Sequence, residues 1–172
     1  VELCQEMQEK FGDSITAPLW QADTMEDYGP IIEYQEARLA NPEFEASARR
    51  YAQWYLGCAN FRSGANSEAI EWMAKCLESK GVRAHIEVRA RSVMAMAYYE
   101  SGEQAKARET LDRAVEVFAA EAPRPGVDDP GTSWQSWLIC ELLLNEAKRK
   151  IAGDGEEDDI ASTQDDSVSE HR

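Results

Sequence analysis

The side chains able to do chemistry are few and scattered in this chain of 172 residues. Cys4, Cys58, Cys76 and Cys140 stand far apart with no Cys-x-x-Cys pair, so neither a zinc site nor a disulfide framework is expected. Cys58 and Cys76 read instead as small apolar residues at helix-packing positions. One histidine, His171, adjoins the C-terminus. The other, His85, has no paired nucleophile and reads as a loop histidine rather than a base. Glu33 and Glu36 are carboxylates one helical turn apart, but no base or metal ligand accompanies them. Glu156-Glu157-Asp158-Asp159 offers oxygens to calcium, yet an EF-hand needs alternate ligands and a turn glycine; a solvated acidic run fits better. The sequence contains no Walker loop, no Gly-x-Ser-x-Gly and no kinase Gly-rich loop, His-Arg-Asp or Asp-Phe-Gly. The expectation is a chain that is not an enzyme and holds no cofactor or metal.

Charge narrows the partners. There are 33 acidic and 18 basic residues, a net −15, which argues against nucleic acid and against an anionic membrane surface. The acidity sits at the ends: residues 1–29 carry −6, residues 153–172 carry −7, and the middle is nearly neutral at −2. The last segment has only Ile160 and Val168 as large apolar residues and reads as a disordered acidic tail. No apolar run is long enough to span a bilayer. Residues 1–10 have no signal-peptide pattern, and separated, reduced thiols point to the cytosol. The chain begins at Val1 rather than methionine, so a piece of a longer protein is expected.

The elements that must position these residues are helices throughout; no strand pattern occurs. Leu3, Cys4, Met7 and Phe11 share a helical face that ends at Gly12, and a loop through Leu19 and Trp20 follows to residue 29. A short helix from Pro30 to Asn41 carries Ile31, Tyr34, Ala37 and Arg38 on one face. Asn41-Pro42 is a helix-start signal, predicting a helix over 42–63 that Gly64 ends. Ser67 caps a third helix with Ala69, Ile70, Met73, Cys76 and Leu77. A fourth spans Ala84–Ser101, a fifth Glu103–Ala120, and after a Pro/Gly break a last runs from Thr132 or Ser133 to Ala152.

Two of these stretches superpose. Leu56-Gly57, Phe61, Gly64, Glu68-Ala69-Ile70, Met73, Cys76 aligns with Met94-Ala95, Tyr99, Gly102, Lys106-Ala107-Arg108, Leu111, Ala114 at a shift of 38 residues. Where paired helices cross closely a small residue is needed, which predicts Gly57 near Ala69 and Ala95 near Ala107, with Met73 and Leu111 filling the next turn. The pattern resembles the tetratricopeptide repeat (TPR), most closely at Trp54-Tyr55-Leu56-Gly57 and Asn66-Ser67-Glu68-Ala69-Ile70. It departs from that family in its spacing and in carrying Gly81 where proline is usual. Phe61-Arg62-Ser63-Gly64, Met94 to Gly102 and Leu111-Asp112-Arg113-Ala114 are further similar to TPR regions of planctomycete-type bacteria, which often follow a serine/threonine kinase or WD40 segment. Trp134 to Cys140 with Leu144-Asn145-Glu146-Ala147 resembles the helix closing those regions.

The resemblance implies an all-α, TPR-like solenoid of antiparallel helix pairs. Residues 1–29 pack on the repeats. Residues 30–121 form them, degenerate over 30–42 and full over 43–81 and 84–121. Residues 132–152 cap them, and 153–172 are the tail. In such a fold the first helix of each pair lines a groove, here Tyr51, Trp54, Cys58, Phe61 and Arg62, then Arg89, Ser92, Met96, Tyr99 and Glu100. These residues either bind a protein or peptide partner or pack against 30–41. Chaperone-type TPRs clamp a terminal carboxylate with Lys and Asn; the matching positions hold Trp54, Cys58 and Ser92, so that clamp is missing. The last helix carries a buried-type stripe, Trp137, Cys140, Leu144, Ala147 and Ile151, and is also apolar at Leu138, Ile139, Leu142 and Leu143. It is expected to be covered by residues 1–20 or to form a homodimer surface through 134–151. The function implied is protein–protein interaction, with a structural spacer and a helical enzyme using Glu33 and Glu36 as alternatives.

Overall fold

The computed structural model describes residues 27–78, 81–124 and 134–153. The expected N-terminal helix, the loop with Leu19 and Trp20, and the acidic tail lie outside the described residues. Those described are all-α: six helices and no strand. They are α1 (Gly29–Ala40), α2 (Ala46–Arg62), α3 (Asn66–Glu78), α4 (Ala84–Glu100), α5 (Gln104–Glu121) and α6 (Trp134–Ala152).

In α1, Pro30 stands in the first turn, where its missing N–H costs nothing, and Arg38 stands in the last, where a cation suits the helix dipole. Its buried face is Ile31 and Gln35; Tyr34 and Arg38 are half-buried, and Ala37, expected on that face, is exposed. Asn41-Pro42 does not open the next helix. Asn41 Oδ1 accepts the Glu43 N–H at 3.0 Å and the Asn41 carbonyl accepts the Phe44 N–H at 3.1 Å, so the asparagine closes a turn of its own. Arg49 holds that turn: its guanidinium donates to the carbonyls of Phe44 (3.2 Å), Leu39 (3.0 Å) and Asn41 (2.7 Å). The helix therefore begins four residues later, at Ala46.

Helices α2 and α4 end alike. Gly64 and Gly102 adopt φ of 83° and 79°, a conformation glycine takes without Cβ strain. Ala65 N–H returns to the Asn60 carbonyl (2.8 Å) and Gly64 N–H to Phe61 (3.0 Å); Glu103 returns to Tyr98 (2.9 Å) and Gly102 to Tyr99 (2.9 Å). These are Schellman caps, and each leads within a few residues into the next helix.

The close approach between α2 and α3 is made by Gly57, whose nearest neighbour is Met73. A Cβ on Gly57 would stand 2.5 Å from Met73 Cε and 2.9 Å from its Cγ and Sδ. Ala69, Met73 and Cys76 on α3 and Ala107, Leu111 and Ala114 on α5 are all buried at matching repeat positions. The Cys76 thiol donates to the Arg50 carbonyl at 3.5 Å, a further tie between α3 and α2.

Helix α1 packs on α2, α2 on α3, α3 on α4 and α4 on α5, each on its neighbour in sequence. Helix α6 breaks the order: it packs chiefly on α4 and less on α5. One apolar cluster links α2 through α6.

Candidate functional site

Of the ten residues expected to line a groove, six are buried: Trp54, Cys58 and Phe61 on α2, and Arg89, Ser92 and Met96 on α4. Tyr51 and Tyr99 are half-buried against the same cluster, and Arg62 and Glu100 are exposed. The first-helix face is thus a packed surface, and α6 is what lies along α4.

The pairings fix how α6 lies. His85, in the first turn of α4, meets the Trp137 ring edge-on at 6.0 Å. The Cys140 thiol donates to the His85 carbonyl at 3.2 Å. At the other end Lys150 pairs with Glu100. Low numbers meet low and high meet high, so α6 runs parallel to α4. Glu146 reaches α2, where it takes a bidentate pair from Arg62 at 2.5 and 2.8 Å. Along the same helix, Cys140, Leu144, Ala147 and Ile151 are buried. Trp137 also stacks edge-on against Phe118 of α5 at 5.9 Å.

Electrostatics follow from burial. His85 is a buried residue of α4, not a loop histidine, and its pKa is lowered to about 4 by desolvation and then by Arg89 and Arg83. Burial pushes the Cys76 thiol up to about 11 and the Cys140 thiol up to about 12, and it raises Cys58 further still. All three are inert in this state. Arg89, only 3% exposed, places its guanidinium over the Trp54 ring at 5.0 Å, and its Nε donates to the His85 carbonyl at 3.2 Å. Ser92 spends its hydroxyl on the Val88 carbonyl, 2.8 Å away in its own helix.

The outward face of α6 is apolar over its first half. Trp134 (52% exposed), Leu138 (48%) and Leu142 (61%) follow each other at four-residue steps, while Leu143 is half-buried against the core. Sequence reasoning had the stripe of α6 but not its seat. Glu146, Lys150 and His85 were missed as parts of the site; the only signal for them was the spacing of charges flanking that stripe. Glu33 and Glu36 are both exposed on α1. Among the described residues no group of three or more His, Cys, Asp or Glu side chains could hold a metal ion, and no helix is long and apolar enough to cross a membrane.

What the fold and site define is an all-α chain of successively packed helices with a final helix laid parallel along α4. No protein-family model matches the chain, and neither a curated protein nor a solved structure matches it.

Proposed function

We propose that the chain is a protein-interaction module of the TPR type that receives an amphipathic helix along α4, against α5 and within reach of Arg62 on α2. The observation that carries this reading is α6 itself. It seats a narrow stripe of Cys140, Leu144, Ala147 and Ile151 on α4 and is held at the flanks by Arg62–Glu146 and Lys150–Glu100. A face that takes one helix in this manner has the shape and the charges to take another of like pattern, which is recognition by anchors at helical spacing. The repeat resemblance makes a larger, kinase-linked bacterial protein in the cytoplasm the expected setting.

A second reading is favoured by Trp134, Leu138 and Leu142. If α6 stays seated, its outer stripe is the docking surface, for a partner or for a second copy.

A fluorescent peptide of residues 134–152, titrated into the chain and followed by anisotropy, separates these. Saturable binding, absent for a scrambled peptide, is the outcome expected for a helix-accepting face. Lack of any binding beyond the scrambled control would leave the outer stripe, or a plain spacer.

A further inference from the structure

Helix α6 leaves one face of its own uncovered by the described residues. Trp134, Leu138 and Leu142 are each about half exposed or more and form one ridge at four-residue steps. The next step along that ridge is Glu146, which takes the bidentate pair from Arg62 of α2. The ridge therefore ends at a contact with α2. One helical turn before Arg62 stands Ala59, and Tyr28 and Ile32 pack on the cluster that Ala59 forms with Ile31. The described chain thus starts, at Asp27 and Tyr28, on the turn of α2 that adjoins the end of the ridge.

The 26 residues before that start carry a matching pattern. Leu3, Met7 and Phe11 recur at the same four-residue step, and ridges of equal step interdigitate where two helices cross. A helix of that length is marginal alone in water and needs a surface to form on. Residues 13–26 can bridge up to about 45 Å, ample to carry it there. Charge agrees. Residues 1–26 hold six acids against the single base Lys10. Arg149, two turns beyond Leu142 on the same side of α6, is exposed, as is Lys148, and neither enters an ion pair among the described residues. Size agrees as well. A stable interface between separate chains takes about 20–30 residues a side, and the ridge offers three large apolar side chains. A segment of the same chain, present at an effective concentration of about 1 mM, needs far less.

We infer that residues 3–11 of this chain dock as an amphipathic helix across the outer ridge of α6, setting Leu3, Met7 and Phe11 against Trp134, Leu138 and Leu142, with the acidic segment drawn toward Lys148 and Arg149. This rests on α6 being seated on α4 with the ridge outward. The N-terminal segment is then an internal cover for α6.

Hydrogen exchange of the full chain, read by mass spectrometry on peptic fragments, tests this against the free peptide 1–12. Amides of residues 3–11 are expected to exchange at least tenfold more slowly in the chain than in the peptide. Leu138→Lys combined with Leu142→Lys is expected to return them to the peptide's rate. Such a cover opens locally, so the body of the variant should melt at nearly the wild-type temperature. Equal rates in chain and peptide, or protection that survives both substitutions, overturns the proposal. Lys148→Glu with Arg149→Glu is expected to cut the protection severalfold, and unchanged protection overturns its electrostatic part. The same spectra report on the reading beneath it: amides of residues 140–151 exchanging at the unfolded rate overturn the seated α6, however residues 3–11 behave. Sedimentation equilibrium at the same concentration is expected to show a monomer. A dimer that the two leucine substitutions dissociate would give the ridge to a second copy and overturn the assignment to residues 3–11.

Discussion

Replacing Gly57 by alanine sets two opposed effects against each other. Alanine in a helix interior is favoured over glycine by about 0.5–1 kcal/mol. The new methyl, however, would stand 2.5 Å from Met73 Cε and 2.9 Å from its Cγ and Sδ, and Met73 is 0% exposed. Three atoms of one side chain must withdraw into a closed core, and overpacking of that kind costs about 1–3 kcal/mol. Methionine is pliant, which favours the lower part of that range. The net expectation is a loss of about 0.5 kcal/mol, seen in urea unfolding as a midpoint lower by about 0.25 M with unchanged slope. The sign should invert when the clash is removed. In a Met73→Ala background, itself destabilised by about 2–5 kcal/mol, adding Gly57→Ala should raise the midpoint. A rise for Gly57→Ala in the wild-type chain, or no difference between the two backgrounds, would refute the close approach of α2 and α3 at this point.

Stability should also depend on His85. Its folded pKa of about 4 lies below its ordinary 6.5, so the unfolded chain binds a proton that the folded chain refuses; stability falls as pH drops from about 6.5 to about 4. Urea midpoints measured across that window should show a slope of nearly one proton that His85→Gln removes. The Arg62–Glu146 pair is about one-third exposed on both sides, so a double-mutant cycle should give about 0.5–1 kcal/mol, shrinking in 1 M salt. On the outer face of α6, Leu142→Lys should leave the melting temperature nearly unchanged, whereas Leu143→Lys, half-buried against the core, should lower it by several degrees in a thermal melt.

Helices were legible in the sequence where the backbone needed a particular residue. Gly64 and Gly102 announce two ends because each cap needs a positive φ, and small residues at Ala69 and Ala107 announce buried positions at the same register. The start of α2 was misplaced because Asn41-Pro42 serves equally as a turn, and what selects the turn is Arg49, eight to ten residues from two of the carbonyls it binds. Periodicity reports the apolar face of one helix and is silent on what covers it. Trp54, Arg89 and Met96 therefore read as a stripe that either binds a partner or packs against 30–41; all three are buried, and α6 lies along α4. The stripe of Cys140, Leu144, Ala147 and Ile151 was visible; that it runs parallel to α4 follows only from the pairs His85–Trp137 and Glu100–Lys150.

The central claim is that the face of α4 and α5 is a helix-binding site with α6 as its tethered occupant. Weakening the tethered helix should then strengthen binding of a free one. Leu144 is buried in the middle of the α6 stripe, and its truncation to alanine removes about 2 kcal/mol or more from that contact. The affinity of the unmodified 134–152 peptide for the Leu144→Ala chain, compared with its affinity for the wild-type chain, is the direct measurement. The account predicts an apparent Kd about 30-fold lower in the variant, because the internal competitor has lost that much of its hold. An unchanged or weaker affinity would contradict it.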